Sequence, residues 1–122
     1  MSNPVGWFEI YVQDMARAEA FYSTVFGGPL EVLENPELDM RVFGMDRTRY
    51  GIAGALVKMP GVPSGGNSVL VYFHCEDCAV EAEKAAQAGG QVHRGKMSIG
   101  PHGFIALVID TEGNLIGLHS MQ

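Results

Sequence analysis

The sequence predicts an α+β fold built from two βαβββ modules. Three observations carry that prediction: an internal repeat, the same helix-start signal in each copy, and a breaker-rich linker near mid-chain. The first copy reads Trp7-Phe8-Glu9-Ile10-Tyr11-Val12, then Gln13-Asp14, then Met15-Ala16-Arg17-Ala18-Glu19-Ala20-Phe21-Tyr22. The second reads Leu70-Val71-Tyr72-Phe73-His74-Cys75, then Glu76-Asp77, then Cys78-Ala79-Val80-Glu81-Ala82-Glu83-Lys84-Ala85. One shift of 63 carries Asp14 onto Asp77 and Gly27 onto Gly90. Between the copies, Pro60-Gly61-Val62-Pro63-Ser64-Gly65-Gly66-Asn67 continues neither periodicity. The expected layout is one domain over 1–122, with module one at about 5–59, the linker at about 60–67 and module two at about 68–121.

Each copy opens with a β-rich run, and the Asp that follows can accept hydrogen bonds from the first unpaired N–H groups of a helix. Gly27-Gly28 and Gly89-Gly90 then stop the two helices. Ala16, Ala20, Phe21 and Val25 give the first helix an apolar stripe, and Val80, Ala82, Ala85 and Ala88 give the second a weaker one. Three short strands are expected after each helix, near 30–33, 40–45 and 52–59 in the first copy and near 91–94, 104–109 and 115–120 in the second. Asp110-Thr111-Glu112-Gly113-Asn114 has the Gly and Asn of a tight hairpin.

The balance of residues narrows the function. The chain has 122 residues, 47% hydrophobic and 18% charged, enough to bury roughly two-thirds of its extended surface. A net charge of −6 with no run of Lys or Arg argues against nucleic acid as a partner. No segment reaches the ~20 apolar residues of a membrane span and the first residues lack a basic leader, so a cytoplasmic location is expected. Cys75 and Cys78 have neither a second cysteine pair nor a His-x-x-x-His partner for a four-ligand zinc site, and read as reduced thiols at a helix start. No Gly-x-Ser-x-Gly, Walker-type or Gly-x-Gly-x-x-Gly motif occurs, which leaves phosphoryl transfer without support.

Several strings together resemble the vicinal oxygen chelate superfamily of glyoxalase I, bleomycin-resistance proteins and dioxygenases. They are Trp7-Phe8-Glu9-Ile10 with Asp14, Ala20-Phe21-Tyr22, Val25-Phe26-Gly27, Ala88-Gly89-Gly90-Gln91-Val92, Ile99-Gly100 and Asp110 to Leu118. The branch they most resemble is that of predicted enzymes related to lactoylglutathione lyase. The resemblance implies curved mixed sheets around a cavity, helices outside, a small-molecule substrate and a homodimer. It also implies a divalent metal that polarises substrate oxygens. The family's ligand positions, on the first and last strands of each module, match Trp7, Leu70, Gly54 and Gly117. None of these supplies an oxygen or imidazole donor, so no metal is expected there.

Strand alternation then says what shares the face with Trp7 and Leu70: Glu9 and Tyr11, Tyr72 and His74, and on the last strand Leu115, Gly117 and His119. Glu9 and His74 are the candidate catalytic acid/base pair, since a partly desolvated Glu gains proton affinity and a His exchanges protons near neutrality. The competing reading is a Glu–His pair that only satisfies itself, or histidines on a solvated rim. Trp7, Tyr11, Tyr72, Lys96, Met97 and His119 are the expected ligand-pocket residues, with Lys96 as a contact for an anion. Glu9, His74 and His119 form the alternative, displaced metal site. His93 and His102 read as exposed loop residues, residues 95–103 as either a lid or an ordinary connection, and Met40, Met45, Met59 and Met97 as core or soft pocket lining. Two functions follow: a glyoxalase-related lyase or isomerase using Glu9, or a non-catalytic protein that sequesters an aromatic or amphipathic small molecule.

Overall fold

The computed structural model describes residues 3–122. Its elements run β1 (Val5–Tyr11), α1 (Met15–Phe26), β2 (Glu31–Val32), β3 (Asp39–Val42), β4 (Gly54–Lys58), β5 (Val69–His74), α2 (Cys78–Gln87), β6 (Gln91–Ser98), a 3-10 turn (Gly100–His102), β7 (Phe104–Ile109) and β8 (Leu115–Ser120). This is the α+β, twice-repeated βαβββ pattern, with mixed parallel and antiparallel pairing in each copy. Two compact units result. One is Trp7–Val69; the other is Leu70–Gln122 with the described part of Met1–Gly6.

In the Trp7–Val69 unit the strand order is β2-β3-β4-β1. β1 runs parallel to β4, with Glu9 opposite Ala55 and Tyr11 opposite Val57, and β3 runs antiparallel to β4, with Met40 opposite Val57 and Val42 opposite Ala55. These pairings sort the side chains onto two faces. Ile10, Val12 and Leu56 meet Met15, Ala18 and Tyr22 of α1, while Trp7 and Tyr11 pack with Met40, Val42, Ala55 and Val57. α1 starts where the Asp14 carboxylate accepts from the Arg17 N–H at 3.0 Å, and stops at Gly27, whose φ of 75° favours a residue without Cβ. The linker folds back on β1: the Ser64 hydroxyl donates to the Tyr11 carbonyl at 2.8 Å, and the Tyr11 N–H donates to the Ser68 carbonyl at 2.7 Å.

The face of α1 differs from the expected stripe. Met15, Ala18 and Tyr22 turn to the sheet, whereas Ala16, Ala20, Phe21 and Val25 are exposed. Both sets fit a helical period, but Met15 follows the cap directly and lies three residues after buried Val12. Tyr22 then packs edge-on against Phe43 at 5.7 Å, and Phe43 in turn lies 5.5 Å from Phe8.

The other unit orders its strands β5-β8-β7-β6. Cys75, Cys78, Ala82, Ala106, Val108 and Leu118 form its helix-side core, with Phe73, Ala85, Phe104 and Ile116 packed against them. α2 therefore buries Cys78, Ala82 and Ala85, while Val80, expected in the stripe, is exposed. Asp77 caps this helix, accepting from the Ala79 N–H at 3.0 Å. The hairpin between β7 and β8 is held by Asp110, whose Oδ1 accepts from the Glu112 and Asn114 N–H groups. β6 is longer than expected: it runs on through Ser98 with two register shifts, so most of 95–103 is strand and 3-10 turn.

The single shift of 63 fails in the last strand of the repeat. Val12 N–H donates to Val57 O at 2.9 Å, and the matching bond is Cys75 N–H to His119 O at 2.8 Å. The shift is 63 for the donors but 62 for the acceptors. Ala55, not Gly54, is thus the counterpart of Gly117.

Candidate functional site

β1 places Trp7, Glu9 and Tyr11 on the face away from α1, over the apolar floor of Met40, Val42, Ala55 and Val57. Glu9, opposite Ala55, brings a carboxylate onto that floor. The Trp7 indole N–H donates to Glu9 Oε2 at 3.2 Å and the Tyr11 hydroxyl donates to Oε1 at 2.7 Å. Each carboxylate oxygen thus accepts one bond and keeps a further lone pair. Desolvation by the surrounding apolar surface raises the proton affinity of Glu9, and the two hydrogen bonds oppose that rise without cancelling it.

In the other unit, Leu70, Tyr72 and His74 alternate with helix-facing Phe73, and on β8 Leu115, Gly117 and His119 alternate with helix-facing Ile116 and Leu118. Tyr72 stands opposite Gly117 in the parallel register and His74 opposite His119. His119 Nε2 lies 2.6 Å from the His102 carbonyl, to which it donates. His74, His93 and His102 are exposed. Met97 is half-buried opposite Ile105 on the same face as His119.

Lys96 is placed differently from the expectation. Its ammonium lies 2.9 Å from the Asp77 carboxylate and 4.7 Å above the Phe104 ring, and Phe104 belongs to the helix-side core. It braces the start of α2. That contact, with the Ala79 N–H, holds the Asp77 carboxyl below the usual range. Of the methionines, Met40 is buried core whereas Met45 and Met59 are exposed.

The positions that would hold a metal do not suit one. Trp7 spends its only polar hydrogen on Glu9, and Leu70 is buried. Ala55 packs in the apolar floor, and a Cβ at Gly117 would run into the Tyr72 ring. Gly54 faces the helix side, where a Cβ would meet the Phe8 ring. Among the described residues no three His, Cys, Asp or Glu side chains gather as a metal requires. The sequence pattern missed Leu33 and Leu38, which pack on the floor beside Trp7 and Tyr11.

Cys75 and Cys78 are buried free thiols. Burial first, then the negative charge of Glu81, pushes the Cys75 thiol up to about 11.

No curated protein matches the chain in sequence. Solved structures do match its fold. A hypothetical protein from Bacillus halodurans C-125 superposes with a TM-score of 0.74 at 11% identity, covering 100% of this chain and 96% of that one. Methylmalonyl-CoA epimerase from Mycobacterium tuberculosis gives 0.65 at 12% identity, over 98% and 88%. The Streptomyces coelicolor methylmalonyl-CoA epimerase in complex with 2-nitronate-propionyl-CoA gives 0.64 at 18%, over 97% and 96%. The family model described as Glyoxalase/Bleomycin resistance protein/Dioxygenase superfamily matches residues 5–118, nearly the whole repeat, and the chain belongs to that superfamily.

Proposed function

We propose that this protein is a glyoxalase-related isomerase or lyase in which Glu9 is the general acid/base for a small substrate, without a metal at the usual positions. The observation that supports it best is the Glu9 carboxylate, hydrogen-bonded to Trp7 and Tyr11 on an apolar floor and shifted toward neutral pH. Such a group takes a proton from carbon beside a carbonyl and returns it, while the two donors fix its direction. His74 joins the proposal as the second acid/base group, and Tyr72, Met97 and His119 as ligand contacts. A homodimer and a cytoplasmic setting belong to the same reading.

The test is solvent-deuterium exchange followed by proton NMR, using a panel of α-hydroxyketones and 2-oxo thioesters in D₂O. Deuterium incorporation at the carbon next to the carbonyl is expected with wild type and is expected to fall by about 10²-fold or more in Glu9→Gln. Equal exchange in the variant would remove Glu9 from the mechanism. The second reading, a non-catalytic binder, is favoured by the apolar or glycine residues at Leu70, Ala55 and Gly117. It predicts Trp7 quenching by a panel member with no exchange at all.

A further inference from the structure

We infer that the Glu9 face of the Trp7–Val69 unit takes an organic cation, a substituted ammonium on an aromatic or branched apolar body. This deepens the proposed function, resting on Glu9 as the working group. Among the described residues Glu9 accepts from neutral donors, the Trp7 indole and the Tyr11 hydroxyl. The ion pairs found among the described residues go instead to Glu19, Asp39 and Asp77.

The two strand cations of this unit, Arg41 and Lys58, lie on the opposite face. Arg41 alternates with floor residues Met40 and Val42, so it points to the helix side, where it pairs with Asp39 and Glu19. Lys58 follows Val57 and shares that opposite side. Arg17 is exposed on α1, and Arg47 and Arg49 are exposed in the segment between β3 and β4. The face itself carries a second negative group, Glu31, opposite Val42 in the β2–β3 register.

A carboxylate with no counter-ion among the described residues, flanked by an indole and a phenol over an apolar floor, has the parts that recognise an ammonium. The carboxylate supplies charge, the rings supply cation–π attraction, and the floor takes the apolar body. An anionic ligand would meet the like charges of Glu9 and Glu31 on this face.

Trp7 is the single tryptophan, so its fluorescence reports binding directly. Benzyltrimethylammonium, benzyl alcohol and phenylacetate are titrated in turn at pH 8. The cation is expected to bind about tenfold more tightly than the alcohol, and phenylacetate more weakly than either. Glu9→Gln should bring cation and alcohol within about threefold of each other, while Tyr11→Phe, which keeps Glu9 and the ring, should retain the preference. Phenylacetate binding as tightly as the cation, an undiminished preference in Glu9→Gln, or no quenching by the cation at tens of millimolar each overturns the inference. A pH titration of Trp7 emission without ligand separates the two ideas: if Glu9 titrates as expected but the cation does not bind, only the ligand class fails.

Discussion

Glu9 ties the sequence to the chemistry, and its sign in the stability balance is fixed by its surroundings. Its proton affinity is higher folded than unfolded, so between the ordinary Glu value and its raised value the folded chain holds more protons. Stability therefore falls as pH rises through that window. Glu9→Gln removes the cost while Gln can still accept from Trp7 and donate to Tyr11. The variant should melt higher than wild type at pH 7 to 8, with the difference vanishing near pH 4, and thermal melts across pH read this directly. A lower melting temperature at pH 8 would contradict it. Cys75, pushed up to about 11, should be only about one part in a thousand thiolate at pH 8. It should react with a disulfide reagent only as fast as the protein opens, and full reaction within seconds would contradict its burial.

At the scale of elements, the helix faces and strand registers are what the sequence left ambiguous. Truncating Tyr22 to Ala should cost about 3 kcal/mol, because Tyr22 packs on Phe43 and the Leu56 core, whereas Phe21→Ala should stay within about 0.5 kcal/mol. Urea melts of the two variants distinguish the observed face from the expected one. Gly117→Glu, which installs the side chain that a metal site would want, should destabilise by about 1–3 kcal/mol or more through the Tyr72 ring, and Tyr72→Ala in the same chain should recover part of that loss. The caps at Asp14 and Asp77 and the Asp110 hairpin were legible because their signals are local: one side chain bonds N–H groups a few residues away. Small alanines at 16 and 20 carried no such information. Leu56 and Phe43, distant in sequence, together with Ile10 select Met15, Ala18 and Tyr22. The one-residue change of shift between Val57 and His119 was hidden for the same reason, since strand register depends on a partner across the sheet.

For the whole molecule, the repeat makes the architecture readable in the sequence, because each copy independently satisfies strand alternation and helix capping. The candidate site was half readable. Alternation correctly grouped Trp7, Glu9 and Tyr11, but charge alone made Lys96 look like a ligand contact, and only the fold shows it bound to Asp77 over Phe104. The proposed homodimer implies that light scattering at tens of micromolar gives close to twice the 13.2 kDa chain mass. A chain mass unchanged at that concentration would remove it. Glu9 touches Trp7, so Trp7 emission between pH 3 and 9 in wild type and Glu9→Gln reads the raised proton affinity of Glu9 directly. Wild type should show one titration with its midpoint above that of an ordinary Glu, and the variant a flat response. A wild-type midpoint at or below about 4.3, or the same titration in Glu9→Gln, would contradict it.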